Sequence, residues 1–318
     1  MTILDRFGDI SPDRMKVLKS IAANYSIDTD SAMRVVQNTQ PFVLKVSGEY
    51  LTPKRMEKAA QIYAAVGSLF PGTILVHGSG EPLSKELGHT RKHHGTRITF
   101  PQEIPVVVGV ATKLTERLVD RINFYGGNAR GICHDPKRPA FHFQKSDWTE
   151  DDNGNLVYLG EVGIVPRGRE ESAIARGLPG KLTTLIRDGY MPVIGPVVHD
   201  SESSNPLNPD ADDIARVVAH NMGYGKIIFV TENRNGGRFD QAAIDEHIQR
   251  RGTENPEDAL QKHNGNWSWK FQSVIEAVLN GNTVAMVKQE NLFPSIFSDR
   301  PKDFAELVLS RRMLDELK

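Results

Sequence analysis

Short apolar runs alternate with helical patterns along most of this chain. The runs have the length and composition of buried strands, and they cover residues 42–46, 73–76, 129–133, 191–195, 226–231 and 283–287. Between most of them, apolar residues recur every three or four positions, the spacing of one helix face. The clearest helical patterns span residues 53–69, 103–125 and 172–187. Strands that alternate with helices predict an α/β fold with a doubly wound, mainly parallel sheet.

Two segments depart from this alternation. Ser11 and Pro12 form a typical helix start, so we predict a helix over residues 12–23 and a second one over residues 31–37. In the middle of the chain, Asn153-Gly154 lies between apolar stretches, and this pair favours a tight hairpin turn. We therefore predict an antiparallel lid or dimer arm around that turn.

Composition and charge exclude several classes of function. Lys and Arg total 39 against 40 Asp and Glu, which gives a net charge of -1 and no global basic field for nucleic acid or an anionic membrane. No apolar run approaches the ~20 residues that a membrane span needs, and Asp5 and Arg6 interrupt the start of the chain. We expect a cytoplasmic protein whose partner is a small-molecule substrate, with no nucleic acid and no membrane.

Candidate chemistry lies where the predicted strands end, because parallel sheets bind ligands at the carboxyl ends of their strands. Two runs end in glycine turns, at residues 45–48 (KVSG) and 77–80 (HGSG). Glycine lets backbone N–H groups come close to an anion, although either turn could also be purely structural. Lys45 lies inside an apolar run, where it must reach solvent or meet a counter-charge.

Five segments in order resemble signatures of the amino-acid kinase family. They are residues 42–48 (FVLKVSG), 74–83 (ILVHGSGEPL), 95–99 (GTRIT), 189–194 (GYMPVI) and 207–212 (LNPDAD). The resemblance spans about residues 42–299 and is strongest to acetylglutamate kinases. The helical extension at the start and residues 267–270 (WSWK) are similar to the kinase domain of bifunctional acetylglutamate synthase/kinases.

The resemblance implies a three-layer α/β/α sandwich with a mainly parallel central sheet. It divides the chain into an N-terminal helical extension (1–39), an N-lobe that binds the amino-acid substrate (40–195) and a C-lobe that binds nucleotide (196–318). It also implies a homodimer or a higher homo-oligomer, in which the helical extension could take part. The apolar side of the extension could equally fold back on its own subunit.

The implied reaction is the ATP-dependent phosphorylation of the side-chain carboxylate of N-acetyl-L-glutamate, a step of arginine biosynthesis, or of a close N-acylated acidic amino acid. ATP would bring its own Mg²⁺, with no separate metal site. By resemblance Lys45 balances charge on the transferred phosphoryl group, Lys270 stabilises the leaving β-phosphate oxygen, and Asp212 orients both lysines. Such a reaction needs no strong base, because the attacking carboxylate is already ionised.

The remaining implied site residues bind substrate. Arg97 matches the arginine that takes a carboxylate of the acyl amino acid, a task that suits its bidentate fork. Asn208 matches an asparagine at the substrate. Backbone N–H donors around the phosphoryl group are implied at four small residues, Gly48, Gly78, Ser79 and Gly80.

Three departures from the family pattern leave a second function open. Ser79 stands in the middle of the usual glycine triplet, Asp210 adds a negative charge near the expected phosphate, and the terminal segment tied to arginine feedback is missing. The alternative is a non-catalytic regulatory or interaction subunit of the same fold, which could pair with an acetyltransferase. From the residues alone, Asn208 and Pro209 also form a typical helix start, with Asn208 as the N-cap and Pro209 in the first turn.

Overall fold

The computed structural model describes residues 10–93, 96–132, 134–150, 155–165, 169–232, 274, 277–278, 280–298 and 307–310. Its centre is a sheet made of β1 (Val43–Val46), β2 (Ile74–His77), β5 (Ala129–Ile132), β10 (Met191–Ile194), β13 (Lys226–Val230), β14 (Thr283–Val287) and β15 (Leu307–Leu309). The spatial order of these strands is β15-β14-β13-β1-β2-β10-β5. Neighbouring strands are parallel except for the edge strand β15, which runs antiparallel to β14.

Helices cover both faces of this sheet and make a three-layer sandwich. The helices are α1 (Pro12–Tyr25), α2 (Thr29–Asn38), α3 (Met56–Leu69), α4 (Gly80–Leu87), α5 (Ile104–Phe124), α6 (Leu178–Arg187), α7 (Ala211–Met222) and α8 (Leu292–Phe297). Successive side chains of a strand point to opposite faces. In β1, Val43 packs into the core that contains α6 and α7, whereas Leu44 and Val46 pack into the core that contains α1, α2, α3, α5 and α8. The predicted α/β fold class is confirmed.

A small closed barrel sits beside the main sheet, and the sequence patterns did not predict it. Its strands are β6 (His142–Lys145), β9 (Val162–Ile164), β11 (Val198–Asp200) and β12 (Pro206–Pro209), and their spatial order is β11-β12-β9-β6. Val198 and Leu207, both completely buried, pair across β11 and β12.

Two short hairpins complete the architecture. One joins β3 (Lys92–His93) to β4 (Thr96–Arg97), and the other joins β7 (Trp148–Glu150) to β8 (Leu156–Tyr158). The second hairpin confirms the antiparallel pairing predicted on either side of Asn153-Gly154, and the turn residues themselves lie outside the described residues.

Helix α6 begins at Leu178, so the prediction of a helix from residue 172 was wrong. Residues 170–173 form turns, and Ile174 makes an antiparallel bridge with Phe141. That long-range pairing holds the backbone extended at a position where the local pattern alone favours helix. Pro179 then lies in the first turn of α6, where its missing N–H costs nothing.

The N-terminal helices lie where the sequence predicted them, and the apolar side of α1 is covered by its own chain. Leu18, Ile21 and Ala22 are buried, and Arg14 donates a hydrogen bond to the Leu69 carbonyl at the end of α3. Because this face packs within the subunit, it does not offer a free apolar surface for assembly.

No helix in the described part of the chain is long and apolar enough to cross a membrane.

Candidate active site

Two chain turns meet at the carboxyl edge of the central sheet and form the floor of an open cleft. A Cβ placed on Gly48, after β1, would lie 2.5 Å from the Gly80 nitrogen and 2.8 Å from the Ser79 carbonyl carbon. Only glycine permits this approach of backbone to backbone. Gly80 begins α4, and the Ser79 side chain makes no capping hydrogen bond there. No side chain of Ser79 therefore competes with an anion for the backbone amide of Gly80.

The cleft brings together most of the residues that the sequence singled out. It is lined by Lys45, Gly48, Gly78, Ser79, Gly80, Arg97 and Asn208. Lys92, Thr96, Pro196, Asp210 and Ala211 also line it. Lys270, which the sequence predicts to complete the site, lies outside the described residues, and its position stays a prediction.

Lys45 is buried on the α7 side of β1, where its ammonium forms an ion pair with the carboxylate of Asp212. Asp212 belongs to the first turn of α7, which packs against β1 and β2. Burial by itself would lower the pKa of Lys45, but the carboxylates of Asp212 and Asp210 raise it above its ordinary value. Lys45 is thus a permanent positive charge at the floor of the cleft.

Arg97 is held in place by three hydrogen bonds from its guanidinium. Nη1 donates to the His89 carbonyl at 3.3 Å, and Nη2 donates to the Gly80 carbonyl at 3.0 Å and to the Ser84 hydroxyl. The side chain is only 7% exposed, so its orientation is fixed before any ligand arrives. Sequence reasoning missed Ser84, although its spacing of four residues from Gly80 places both on one turn of α4.

Asn208 is a strand residue, and the prediction that it caps a helix was wrong. Asn208 and Pro209 both belong to β12, where Asn208 pairs with Val162 of β9. The N-cap of α7 is Asp210, whose side chain accepts a hydrogen bond from the Asp212 amide at 3.0 Å. Because capping does not engage the Asn208 side chain, its amide is free to bond elsewhere and to line the cleft.

Asp210 brings a second carboxylate close to Lys45. Burial and repulsion from Asp212 raise the pKa of Asp210 to about 6, and Lys45 partly opposes this rise. Lys45 therefore balances only part of the negative charge of Asp210, the residue that departs from the family pattern. A ligand that brings positive charge, or a proton, would relieve the remaining repulsion.

Replacing Asp210 with asparagine should stabilise the protein at neutral pH. The folded chain holds this proton more tightly than the unfolded chain, so the protein loses stability as the pH rises from about 4 through about 6, and the loss is complete at neutral pH. Asparagine caps a helix as well as aspartate does. We expect the free energy of unfolding of the Asp210→Asn variant to exceed that of the natural chain by about 1 kcal/mol at pH 7.5. The difference should vanish near pH 4, as measured by urea unfolding at both pH values.

Asp28 gives a matched control, because it caps α2 in the same way. Its side chain accepts a hydrogen bond from the Ser31 amide at 2.8 Å, and this bond lowers the pKa of Asp28. The Asp28→Asn variant should therefore change stability in the opposite direction at pH 7.5. An Asp210→Asn gain that is the same at pH 7.5 and pH 4 would contradict the electrostatic explanation.

A family model described as "Amino acid kinase family" matches residues 40–234, which is more than half of the chain. The chain belongs to the amino acid kinase family. The matched residues contain β1, the glycine turns, Arg97 and the start of α7, so the cleft described above lies within the family region.

Named relatives within the amino acid kinase family include two bacterial acetylglutamate kinases. The chain is 27% identical over 202 residues to the enzyme of Moorella thermoacetica and 29% identical over 197 residues to that of Halothermothrix orenii. Each alignment covers 60% of this chain. The chain spans 63% of the length of both relatives.

Solved structures of similar fold include an N-acetylglutamate synthase from Neisseria gonorrhoeae complexed with coenzyme A and N-acetyl-glutamate. The TM-score is 0.64 at 14% identity, and the match covers 85% of this chain and 60% of that one. The protein smu.665 from Streptococcus mutans matches with a TM-score of 0.50 at 18% identity, over 77% of this chain and 93% of that one. At these identities the likeness shows the fold that the sequence predicted, an amino-acid kinase sandwich.

Proposed function

We propose that this chain is an ATP-dependent kinase that phosphorylates the side-chain carboxylate of N-acetyl-L-glutamate or of a close N-acylated acidic amino acid. The observation that carries the proposal is one cleft in which a buried Lys45 and a fixed Arg97 flank two backbone turns that can bind an anion. The named relatives, which are acetylglutamate kinases, support the same substrate. Arginine biosynthesis is the pathway that this substrate implies.

The roles follow from charge and position. Arg97 binds a carboxylate of the acyl amino acid with the guanidinium donors that its contacts to His89, Gly80 and Ser84 leave unused, and Asn208 contacts the same molecule. An oxygen of the side-chain carboxylate attacks the γ-phosphorus of ATP while the bond from that phosphorus to the β,γ-bridging oxygen breaks. Lys45 and the backbone amides at Gly48 and Gly80 stabilise the charge on the phosphoryl group as it moves. The products are an acyl phosphate and ADP.

The nucleotide enters this proposal as MgATP, a co-substrate. Residues 196–318 are proposed to bind it, with Lys270 at the leaving β-phosphate oxygen. Asp212 supports this arrangement, because one carboxylate oxygen pairs with Lys45 and the other has no hydrogen-bond partner in the part of the chain that the structure describes. That oxygen can accept a hydrogen bond from a second lysine.

A coupled assay of ADP release tests the proposal directly. The panel contains glutamate, aspartate, N-acetylglutamate and N-acetylaspartate, each with MgATP, and hydroxylamine traps any acyl phosphate as a hydroxamate. We expect ADP and hydroxamate in equal amounts with N-acetylglutamate and little of either with the free amino acids. ADP release without hydroxamate would show that the acceptor is not a carboxylate.

The same assay separates the kinase from a non-catalytic subunit. If no acceptor supports ADP release while calorimetry detects N-acetylglutamate binding, the cleft is a binding site and the kinase proposal fails.

Assembly as a homodimer or higher homo-oligomer is part of the proposal. Light scattering of the full chain measures it.

A further inference from the structure

Thr99 lies behind the cleft and is completely buried. Its hydroxyl oxygen accepts a hydrogen bond from Asn208 Nδ2 at 2.9 Å, and its hydroxyl proton is directed to the Arg97 carbonyl oxygen at 3.4 Å. Because the proton of Thr99 is used toward Arg97, the Asn208 amide must present its NH₂ end to Thr99. The orientation of this amide is thus assigned by the hydrogen-bond network.

The backbone around Thr99 joins the strand of Arg97 to the strand of Asn208. The Thr99 carbonyl accepts from the Glu161 amide at 2.7 Å, and the Glu161 carbonyl accepts from the Asn208 amide at 2.9 Å. Gly160 permits the contact, because it has a φ of +81° and a Cβ there would lie 2.0 Å from the Thr99 oxygen. The two substrate-side residues, Arg97 and Asn208, therefore share one rigid support.

We propose that Thr99 is a positioning residue that aims the Asn208 side chain into the cleft. Thr99 does not line the cleft itself, so it acts through Asn208. With Nδ2 engaged by Thr99, Asn208 Oδ1 makes no hydrogen bond within the described residues and is left as an acceptor. An acyl amino acid offers one N–H at its amide nitrogen, which matches this acceptor. The substrate contact rests on the proposed function, whereas the support of Asn208 by Thr99 does not.

The first test compares Thr99→Val, which removes the hydroxyl, with Thr99→Ser, which keeps it. Calorimetry with N-acetylglutamate should show about tenfold weaker binding for Thr99→Val, the effect of losing one supporting hydrogen bond. Thr99→Ser should bind within about twofold of the natural chain, and the KM for ATP should change in neither variant. An equal loss of affinity for ATP would overturn the proposal, because it would show a general structural role.

A double-mutant cycle with Asn208→Ala gives the sharper result. If Thr99 acts through Asn208, Thr99→Val should weaken N-acetylglutamate binding by less than about twofold once Asn208 is already alanine. A tenfold effect of Thr99→Val in both backgrounds would overturn the proposal.

A ligand-free readout keeps this inference separate from the proposed function. The ¹H–¹⁵N signal of the Asn208 side-chain amide, assigned with an Asn208→Asp variant, should exchange slowly with solvent in the natural chain and in Thr99→Ser. It should exchange at least about tenfold faster in Thr99→Val, because the protecting hydrogen bond is gone. Unchanged exchange in Thr99→Val would overturn the proposal. If the natural chain neither binds N-acetylglutamate nor releases ADP, the proposed function fails and this measurement still decides the role of Thr99.

Discussion

Replacing Lys45 with methionine should lower the rate of ADP release by about 100-fold or more, the usual effect of removing one charge that stabilises a transition state. Lys45 is a buried ammonium at the floor of the cleft, held there by Asp212. Methionine fills a similar volume but leaves the moving phosphoryl group without that positive charge. The coupled assay with N-acetylglutamate and MgATP measures the loss.

Two further variants separate catalysis from folding. Lys45→Met leaves the buried carboxylate of Asp212 unpaired, which costs about 3 kcal/mol of stability or more. The double variant Lys45→Met/Asp212→Asn should regain that stability and remain inactive. Lys226→Met is the matched control, since Lys226 is a half-buried lysine at the amino end of β13, the strand beside β1, and its replacement should leave ADP release unchanged. ADP release near the natural level in either Lys45 variant would refute the proposed role of Lys45.

Replacing Arg97 with lysine should raise the KM for N-acetylglutamate by about 30-fold while the KM for ATP stays within about twofold. The guanidinium already bonds to two carbonyls and the Ser84 hydroxyl, and it must also bind the substrate carboxylate. A lysine ammonium has only three donors on one atom, so it cannot replace these three contacts and also bind the substrate carboxylate. Initial-rate kinetics with each substrate varied in turn give both constants.

Arg121→Lys is the matched control for Arg97. Arg121 forms an exposed ion pair with Glu57 at 3.1 Å on the surface of α5, and it does not line the cleft. Its replacement should leave both constants unchanged. If Arg97→Lys raised the KM for ATP as much as that for N-acetylglutamate, Arg97 would be a structural support of the whole cleft.

The parallel strands of the central sheet, though not its antiparallel edge strand β15, could be predicted from the sequence because their signals are local. Each apolar run, such as residues 42–46, is bounded by polar or glycine turns, and the helices between the runs show a regular apolar spacing. The need of Lys45 for a counter-charge is equally local, since an ammonium inside an apolar strand is costly unless it is paired. Parallel strands then place the glycine turns after β1 and β2 at one edge.

The small barrel was decided by pairings between distant parts of the chain. Its strands are short, and β12 contains two prolines and an asparagine, so its local pattern resembles a polar loop. β12 pairs with β9 between residues 46 positions apart, and with β11 between residues 7 and 9 positions apart. No periodicity within the segment reveals partners at such separations.

The sequence by itself therefore determined the sandwich, the edge of the sheet where the ligand site lies and the residue types at that site. Only the tertiary structure decided whether the amide side chain of Asn208 or the carboxylate of Asp210 caps α7. Asn208 and Asp210 are equally good N-caps, and the pairing of β12 fixed Asn208 in a strand and moved the cap to Asp210. Asp210 caps the helix because long-range backbone pairing of β12 outweighs a local capping preference of about 1 kcal/mol at Asn208. The side-chain amide of Asn208 is therefore free to bond with Thr99, 109 positions earlier in the chain.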